Sequence, residues 1–198
     1  MSQQFNKNGR IHIILATDIK GGIAKEGKIP WNIKQEMAFF KRITQEVKAI
    51  GEKQNAVVMG RKTWDSLSKK PLPNRHNVVL TSSQINPHYD GVTWKSSLED
   101  AFIWYLSKTP HEIEDLYIIG GEYVYDQCMK NWIDLIDSIY ITEIDQDYQC
   151  DQCFSWFERD FIELGYELKS ERIEEIFKVL LRSIVRKTRN TDFEIASS

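Results

Sequence analysis

The spacing of apolar residues changes several times along the chain. Residues 10–17, "RIHIILAT", are almost continuously apolar, which predicts a buried strand. Beyond Pro30-Trp31 the period lengthens. Ile33, Met37, Phe40 and Ile43 recur every three or four residues and predict a helix over about 32–47. Short apolar runs at 55–60, 76–82, 91–94, 115–121 and 137–145 predict further strands. Helical segments are expected at 62–67, 97–108 and 122–130. Ser97, with Asp100 three residues later, is an N-cap in a variant of the capping box. The glycine-rich stretch 18–31 and the proline-rich "KKPLPNR" read as surface loops, the first of them mobile. Strands alternate with helices up to about residue 145, which predicts a single α/β domain with a mostly parallel sheet. In the last third, apolar residues at 173, 176, 177, 180, 181 and 184 predict a helix over 173–187. The same stretch is rich in β-branched residues, which suits a strand.

Composition narrows the class. The chain has 198 residues, 41% hydrophobic and 28% charged, with a formal net charge of −3. A general nucleic-acid binder is usually basic, so that class is set aside, although a local basic pocket for a small anion is not. The polar start "MSQQFNKNGR" has no apolar signal region, and no apolar run reaches the ~20 residues a membrane helix needs. A cytoplasmic protein without membrane or nucleic-acid partners is expected. "CDQC" at 150–153 has the spacing of half a zinc site or of a thiol redox pair. No second CxxC or HxxxH follows, so reduced thiols and no metal are expected. His12, His76, His88 and His111 show no ligand spacing.

Several positions carry chemistry. Glu36 falls on the apolar face of its helix, three residues after Ile33 and four before Phe40. It is either a solvated first-turn charge or a partly buried carboxylate awaiting a hydrogen-bonding or cationic ligand. "IIGGEYVY" (118–125) is a strand, a Gly-Gly turn and a helix start, either a plain tight turn or a place where phosphate meets free N–H groups. It lacks GxGxxG, so it is not the Rossmann fingerprint. "MGRKTW" (59–64) puts Arg61, Lys62 and Thr63 after another strand, and "LTSS" (80–83) puts hydroxyls after a third. In open α/β sheets ligands bind at the carboxyl ends of strands. Arg75 is a surface arginine or a bidentate clamp for a carboxylate.

As a set and in order, "GGIAKEGKIPWNIKQEMAFFK", "VVMGRKTWDSL", "PLPNRHNVVLTSS", "YIIGGEYVY" and "IYITEID" resemble the dihydrofolate reductases over about residues 11–145. The resemblance implies a central eight-stranded, mainly parallel sheet with an antiparallel C-terminal edge, flanked by about four helices. It therefore favours strands over the helix at 173–187. It implies a reductase domain over 10–188, with flexible ends at 1–9 and 189–198.

The implied reaction is NADPH-dependent reduction of 7,8-dihydrofolate, with hydride passing to C6 and a proton to N5. Glu36 would hydrogen-bond the pterin, Trp31 would hold a water beside it, and Thr142 would support the carboxylate. Arg75 would clamp the tail carboxylate of the substrate. Met37, Phe40, Leu67 and Leu72 would wall the substrate; Ile14, Leu15 and Ala16 would line the inner pocket, with Ile119 against pterin and nicotinamide. Ala16, Ile23, Ser66, Gly120, Gly121 and Tyr125 would lie beside the nicotinamide and its ribose-phosphate. Arg61, Lys62 and Thr63 would bind phosphates, and Arg61, Thr81 and Ser82 would favour the 2′-phosphate. Gly60, Leu80, Glu122, Tyr123 and Val124 complete the implied cofactor contacts. The loop 18–31 would be a lid, with Ile29 closing over the nicotinamide. Ala24 stands where the family often has glycine, so a positive φ there would be strained. Dihydrofolate and antifolates such as methotrexate are the implied ligands. The implied assembly is a monomer, or one part of a fusion with thymidylate synthase. A pyrimidine reductase of flavin synthesis and a non-catalytic folate-binding protein share the fold. Glu36 and Arg75 argue against the first, and the set from Trp31 to Thr142 argues against the second.

Overall fold

An apolar strand needs cover on both faces, and β1 (Ile11–Asp18) receives it near the middle of an eight-stranded sheet. The computed structural model describes residues 9–48, 53–84, 86–108, 112–156, 158–174 and 179–186. The expected flexible ends at 1–9 and 189–198 lie outside these residues apart from Gly9.

After β1 come β2 (Gly22–Ala24), α1 (Lys34–Gln45), β3 (Gln54–Gly60), α2 (Arg61–Ser66), β4 (His76–Leu80) and β5 (Val92–Lys95). Then follow α3 (Leu98–Lys108), β6 (Ile113–Ile118), α4 (Glu122–Asn131), a 3₁₀ turn (Ile133–Leu135) and β7 (Ser138–Ile144). The chain continues through β8 (Gln152–Cys153), α5 (Glu158–Glu163), β9 (Tyr166–Glu174) and β10 (Val179–Arg186). The main sheet runs β5-β4-β3-β6-β1-β7-β10-β9. All pairs from β5 to β7 are parallel, and β10 is antiparallel to both β7 and β9.

Alternation along the strands sorts the core into two layers. Ile13, Leu15, Ala56, Val58, Val78, Leu116 and Ile118 face α3 and α4, packing with Phe102, Tyr105, Tyr125 and Met129. Ile14, Val57, Met59, Val79 and Tyr117 face the other way, toward Phe39, Phe40 and Ile43 of α1 and Trp64 of α2. Ser97 Oγ accepts a bond from the Asp100 N–H at 3.0 Å, so the cap expected for α3 is present.

The helix that periodicity predicts over 173–187 does not form where residues are described. Residues 166–174 and 179–186 are strands, as the resemblance implies; 175–178 and 187 lie outside the described residues. The physical reason is an open sheet edge. β7 pairs with β1 on one side, and β10 covers the other from Val179 against Ile144 to Val185 against Ser138. That pairing supplies backbone partners to two strands at once, which an isolated helix would leave unmet. Among the described residues five α-helices accompany the sheet, in keeping with the expected set of about four; the six-residue α5 carries the fully buried Phe161.

Candidate active site

The carboxyl ends of β1, β3, β4, β5 and β6 lie along one edge of the sheet, because these strands are mutually parallel. That topology gathers the glycine loop, Gly60–Ser66, Thr81-Ser82 and Gly120–Val124, which the sequence keeps far apart.

Glu36 sits in the first turn of α1, half-buried. Desolvation pushes its carboxyl up from 4.5 to about 7. The raised value marks a carboxylate that lacks compensation for its burial. Its charge in turn raises the Tyr125 phenol, after the larger effect of that ring's own burial. The Tyr125 hydroxyl donates to the Ile14 carbonyl at 2.9 Å and so ties α4 to β1.

Trp31 is buried with Ile144, next to Ala16, Ile33 and Tyr148. Its indole Nε1 has no hydrogen-bond partner among the described residues, an unusual state for a buried donor. Thr142 is buried on β7 and paired in register with Ala16. Ile14, Phe40, Leu67, Leu72 and Ile119 share one apolar cluster. Leu15 does not join it. The two-residue period of a strand turns its side chain into the opposite layer. Met37 is 55% exposed and lies outside the core clusters.

Arg75 is 6% exposed, so the surface-arginine alternative does not hold. Its Nε donates to the Pro73 carbonyl at 3.1 Å and its Nη1 to Thr44 Oγ1 at 2.7 Å. The guanidinium also lies 5.8 Å from the centre of the Phe40 ring. Among the described residues no carboxylate lies within ion-pair distance of it. Burial lowers it to about 10, which leaves it charged at neutral pH. Asn77 holds the proline-rich loop in place: it accepts the Leu72 N–H at 2.9 Å and donates to the carbonyls of Leu72 and Arg75 at 3.0 and 2.9 Å.

A second region is a groove of about 810 Å³ lined by Gly60–Thr63, Leu80–Ser82 and Gly121–Val124. Sequence reasoning missed its other walls, including Ser96, Ser97, Glu99 and Gln152. Ser96 and Ser97 follow β5 as Thr81 and Ser82 follow β4, so the strand-end pattern could have found them. Gly121 is the N-cap of the ten-residue α4 and has no side chain to cap it. A Cβ there would come within 3.2 Å of Thr63 Oγ1, and one on Gly60 within 3.2 Å of Val124 Cγ2. Both glycines therefore keep the groove's backbone approachable. Arg61 bonds the Asp65 carboxylate at 3.0 and 3.1 Å and Asn86 at 3.2 Å, and lies 5.4 Å from the centre of the Trp94 ring. Ala16, Ile23, Ile29, Ser66, Ile119, Gly120 and Tyr125 do not line this groove. Ile29 is 65% exposed, Ser66 Oγ donates to the Thr63 carbonyl at 2.8 Å, and the Gly120 carbonyl accepts the Gly60 N–H at 2.8 Å.

The glycine loop is more ordered in its bonding than its sequence suggests. Asp18 accepts backbone N–H groups of Gly22, Lys20 and Tyr148 at 2.7, 2.9 and 3.2 Å. β2 pairs with β8, inside "CDQC". Asp151 bridges the same two segments: its N–H donates to Ala24 O at 3.0 Å, and its carboxylate accepts the Glu26 N–H at 2.8 Å. Lys25 and Lys28 exchange backbone bonds across Glu26 and Gly27, and these two take the positive φ values of 50° and 73°. Ala24 lies in β2, outside the positive-φ region, so the feared strain is absent. Cys128, Cys150 and Cys153 are free thiols, and among the described residues no group of His, Cys, Asp and Glu could hold a metal ion. Among the same residues no helix is long and apolar enough to cross a membrane.

The dihydrofolate reductase family model matches residues 10–180. Dihydrofolate reductases of Aedes albopictus and Drosophila melanogaster are 36% and 37% identical to the chain over 157 and 159 residues. These alignments cover 77% and 79% of this chain and 82% and 85% of those proteins. A bifunctional dihydrofolate reductase-thymidylate synthase of Arabidopsis thaliana is 37% identical over 145 residues, 70% of this chain and 25% of that protein. The family match takes in Glu36, Arg75 and every residue of the groove, and the chain belongs to the dihydrofolate reductase family.

Proposed function

We propose that the protein reduces 7,8-dihydrofolate to 5,6,7,8-tetrahydrofolate with NADPH, which supports one-carbon metabolism and thymidylate and purine synthesis. The observation that carries this reading is Glu36, a carboxyl in the first turn of α1 that burial pushes up to about 7, in a chain of this family. The groove fits a dinucleotide. It offers an uncapped helix N-terminus and close backbone for a pyrophosphate, with Thr63 and Lys62 beside them. Arg61, Thr81 and Ser82 supply a cation and two hydroxyls suited to the 2′-phosphate. When bound, NADPH supplies the hydride that passes to C6.

The protein's own groups orient the substrate and tune its protonation. Glu36 accepts hydrogen bonds from the pterin N3 and 2-amino group, which polarises the ring and favours a proton at N5. Those bonds replace the hydration that burial removed and favour the ionised carboxylate. The buried Trp31 indole N–H, which lacks a partner among the described residues, holds a water beside it, and Thr142 supports the carboxylate from β7. Phe40, Leu67, Leu72 and Ile119 pack the apolar part of the ligand, while Arg75 takes the tail carboxylate in bidentate fashion. Ile29 and the glycine loop form the lid. The test is NADPH oxidation with and without dihydrofolate, repeated with methotrexate. Substrate-dependent, methotrexate-sensitive oxidation is expected; oxidation that ignores dihydrofolate would overturn the reading.

A further inference from the structure

We propose that Thr44 is a positioning residue that aims Arg75 at the substrate's tail carboxylate. The inference rests on the clamp role given to Arg75 above.

Thr44 is the one fully buried residue of α1, although α1 is mostly a surface helix. Its hydroxyl has a single proton, donated to the Phe40 carbonyl one turn back at 2.7 Å. The lone pairs are thereby turned outward, and Thr44 Oγ1 acts toward Arg75 as an acceptor only, again at 2.7 Å. A guanidinium is rigid and planar, so one short bond at Nη1 and a second from Nε to Pro73 fix its plane as well as its position. Among the described residues these bonds engage two of its five N–H donors, which leaves an edge for a carboxylate. The Phe40 ring lies against the same guanidinium, so one side chain sets both the arginine and the carbonyl of its aromatic neighbour.

Thr44 is itself anchored independently of Arg75. Asn55 Nδ2 donates to the carbonyls of Thr44 and Glu46 at 3.2 and 2.8 Å, and Asn55 Oδ1 accepts the Asp115 N–H at 3.1 Å. The end of α1 is thus pinned to β3 and β6. Gln45 Nε2 also donates to the Pro73 carbonyl at 2.8 Å, so the helix holds the other contact of Arg75 too. An arginine held this way loses little freedom when a carboxylate arrives.

Thr44→Val keeps the shape and removes the acceptor; Thr44→Ser keeps the acceptor. The ligands are 7,8-dihydrofolate and 7,8-dihydropteroate, which lacks the glutamate tail, with NADPH as the control. Thr44→Val is expected to raise the Kd for dihydrofolate by about 10- to 100-fold, the value of a hydrogen bond to a charged group. The Kd values for dihydropteroate and NADPH should stay within about twofold, and Thr44→Ser should restore dihydrofolate binding. If valine does not fold, Thr44→Ala gives the same readout. An equal loss for both pterins, no loss, or a serine variant as weak as valine would overturn the proposal. Arg75→Leu in the same assay separates the two readings. If it fails to distinguish the pterins, the clamp falls and this inference with it. If it distinguishes them while the acceptor-lacking variants do not, only the role of Thr44 falls.

Discussion

Glu36→Gln is expected to make the protein a poorer reductase and a more stable fold, and the two effects have one cause. The unfolded chain ionises Glu36 near 4.5, whereas the folded chain ionises it near 7 because burial removes its hydration. Between these values the folded state holds the extra proton, so Glu36 makes stability fall as pH rises through that window. At about 1.36 kcal/mol per pH unit, the destabilisation reaches about 3 kcal/mol above pH 7 and disappears below pH 4.5. Glutamine has nearly the same shape and no charge to desolvate. At pH 8 the variant should therefore melt higher by up to about 6–12 °C for a domain of this size. At pH 4 the two proteins should melt together. Hydride-transfer turnover at neutral pH should fall by ~10²–10⁴-fold, the usual loss for a missing acid/base group. Whatever pH dependence Glu36 gives the wild-type rate should be absent in the variant. Thermal unfolding across pH and single-turnover NADPH oxidation measure both arms. A variant with the wild-type pH profile of stability would show that Glu36 is not desolvated, and full activity would remove its assigned role.

Arg75→Leu should weaken dihydrofolate binding by about 100-fold with NADPH binding nearly unchanged, since it removes charge-assisted bonds to the tail; comparable losses for both ligands in equilibrium titrations would refute the clamp. NADPH should outperform NADH strongly, and Arg61→Gln with Thr81→Ala should narrow the kcat/KM ratio by at least about tenfold. Parity of the two nucleotides in the unmodified protein would remove the role given to Arg61, Thr81 and Ser82. Gly120→Ala should cost about 1–3 kcal/mol of stability. Gly120 has φ +104°, and its Cβ would lie 2.9 Å from Tyr125 Cε2, so an unchanged melting temperature would contradict that packing.

Much of the architecture up to β7 is legible in the chain, because the period of its apolar residues is a local property. β1, α1, β3 and α3 each lie within a few residues of where that period puts them. The chemistry of the strand ends is local too, and the hydroxyls after β4 and the Gly-Gly before α4 announce themselves. The resemblance to a family orders these pieces into one expected site.

Other features depend on partners far along the chain. The apolar spacing of 173–187 suits a helix, and it is pairing with β7 on one side and β9 on the other that makes 179–186 a strand. Ala24 reads as a strained lid residue until β2 is seen pairing with β8, more than a hundred residues later, with positive φ shifted to Glu26 and Gly27. Arg75 reads as a surface arginine or as a clamp until α1 and the proline-rich loop bury it. Thr44 carries no sequence signal at all, because a threonine in a helix looks the same whether its lone pairs face water or a guanidinium. Glu36 shows the division most clearly. Its place on an apolar face follows from 3.6 residues per turn, but the desolvation that lifts its carboxyl to about 7 comes from the surrounding structure, not the helix alone. The sequence by itself determined which groups are present and which face of each element carries them. The tertiary structure alone decided their solvation and their neighbours, because burial and strand pairing are set by residues that meet only when the chain is folded.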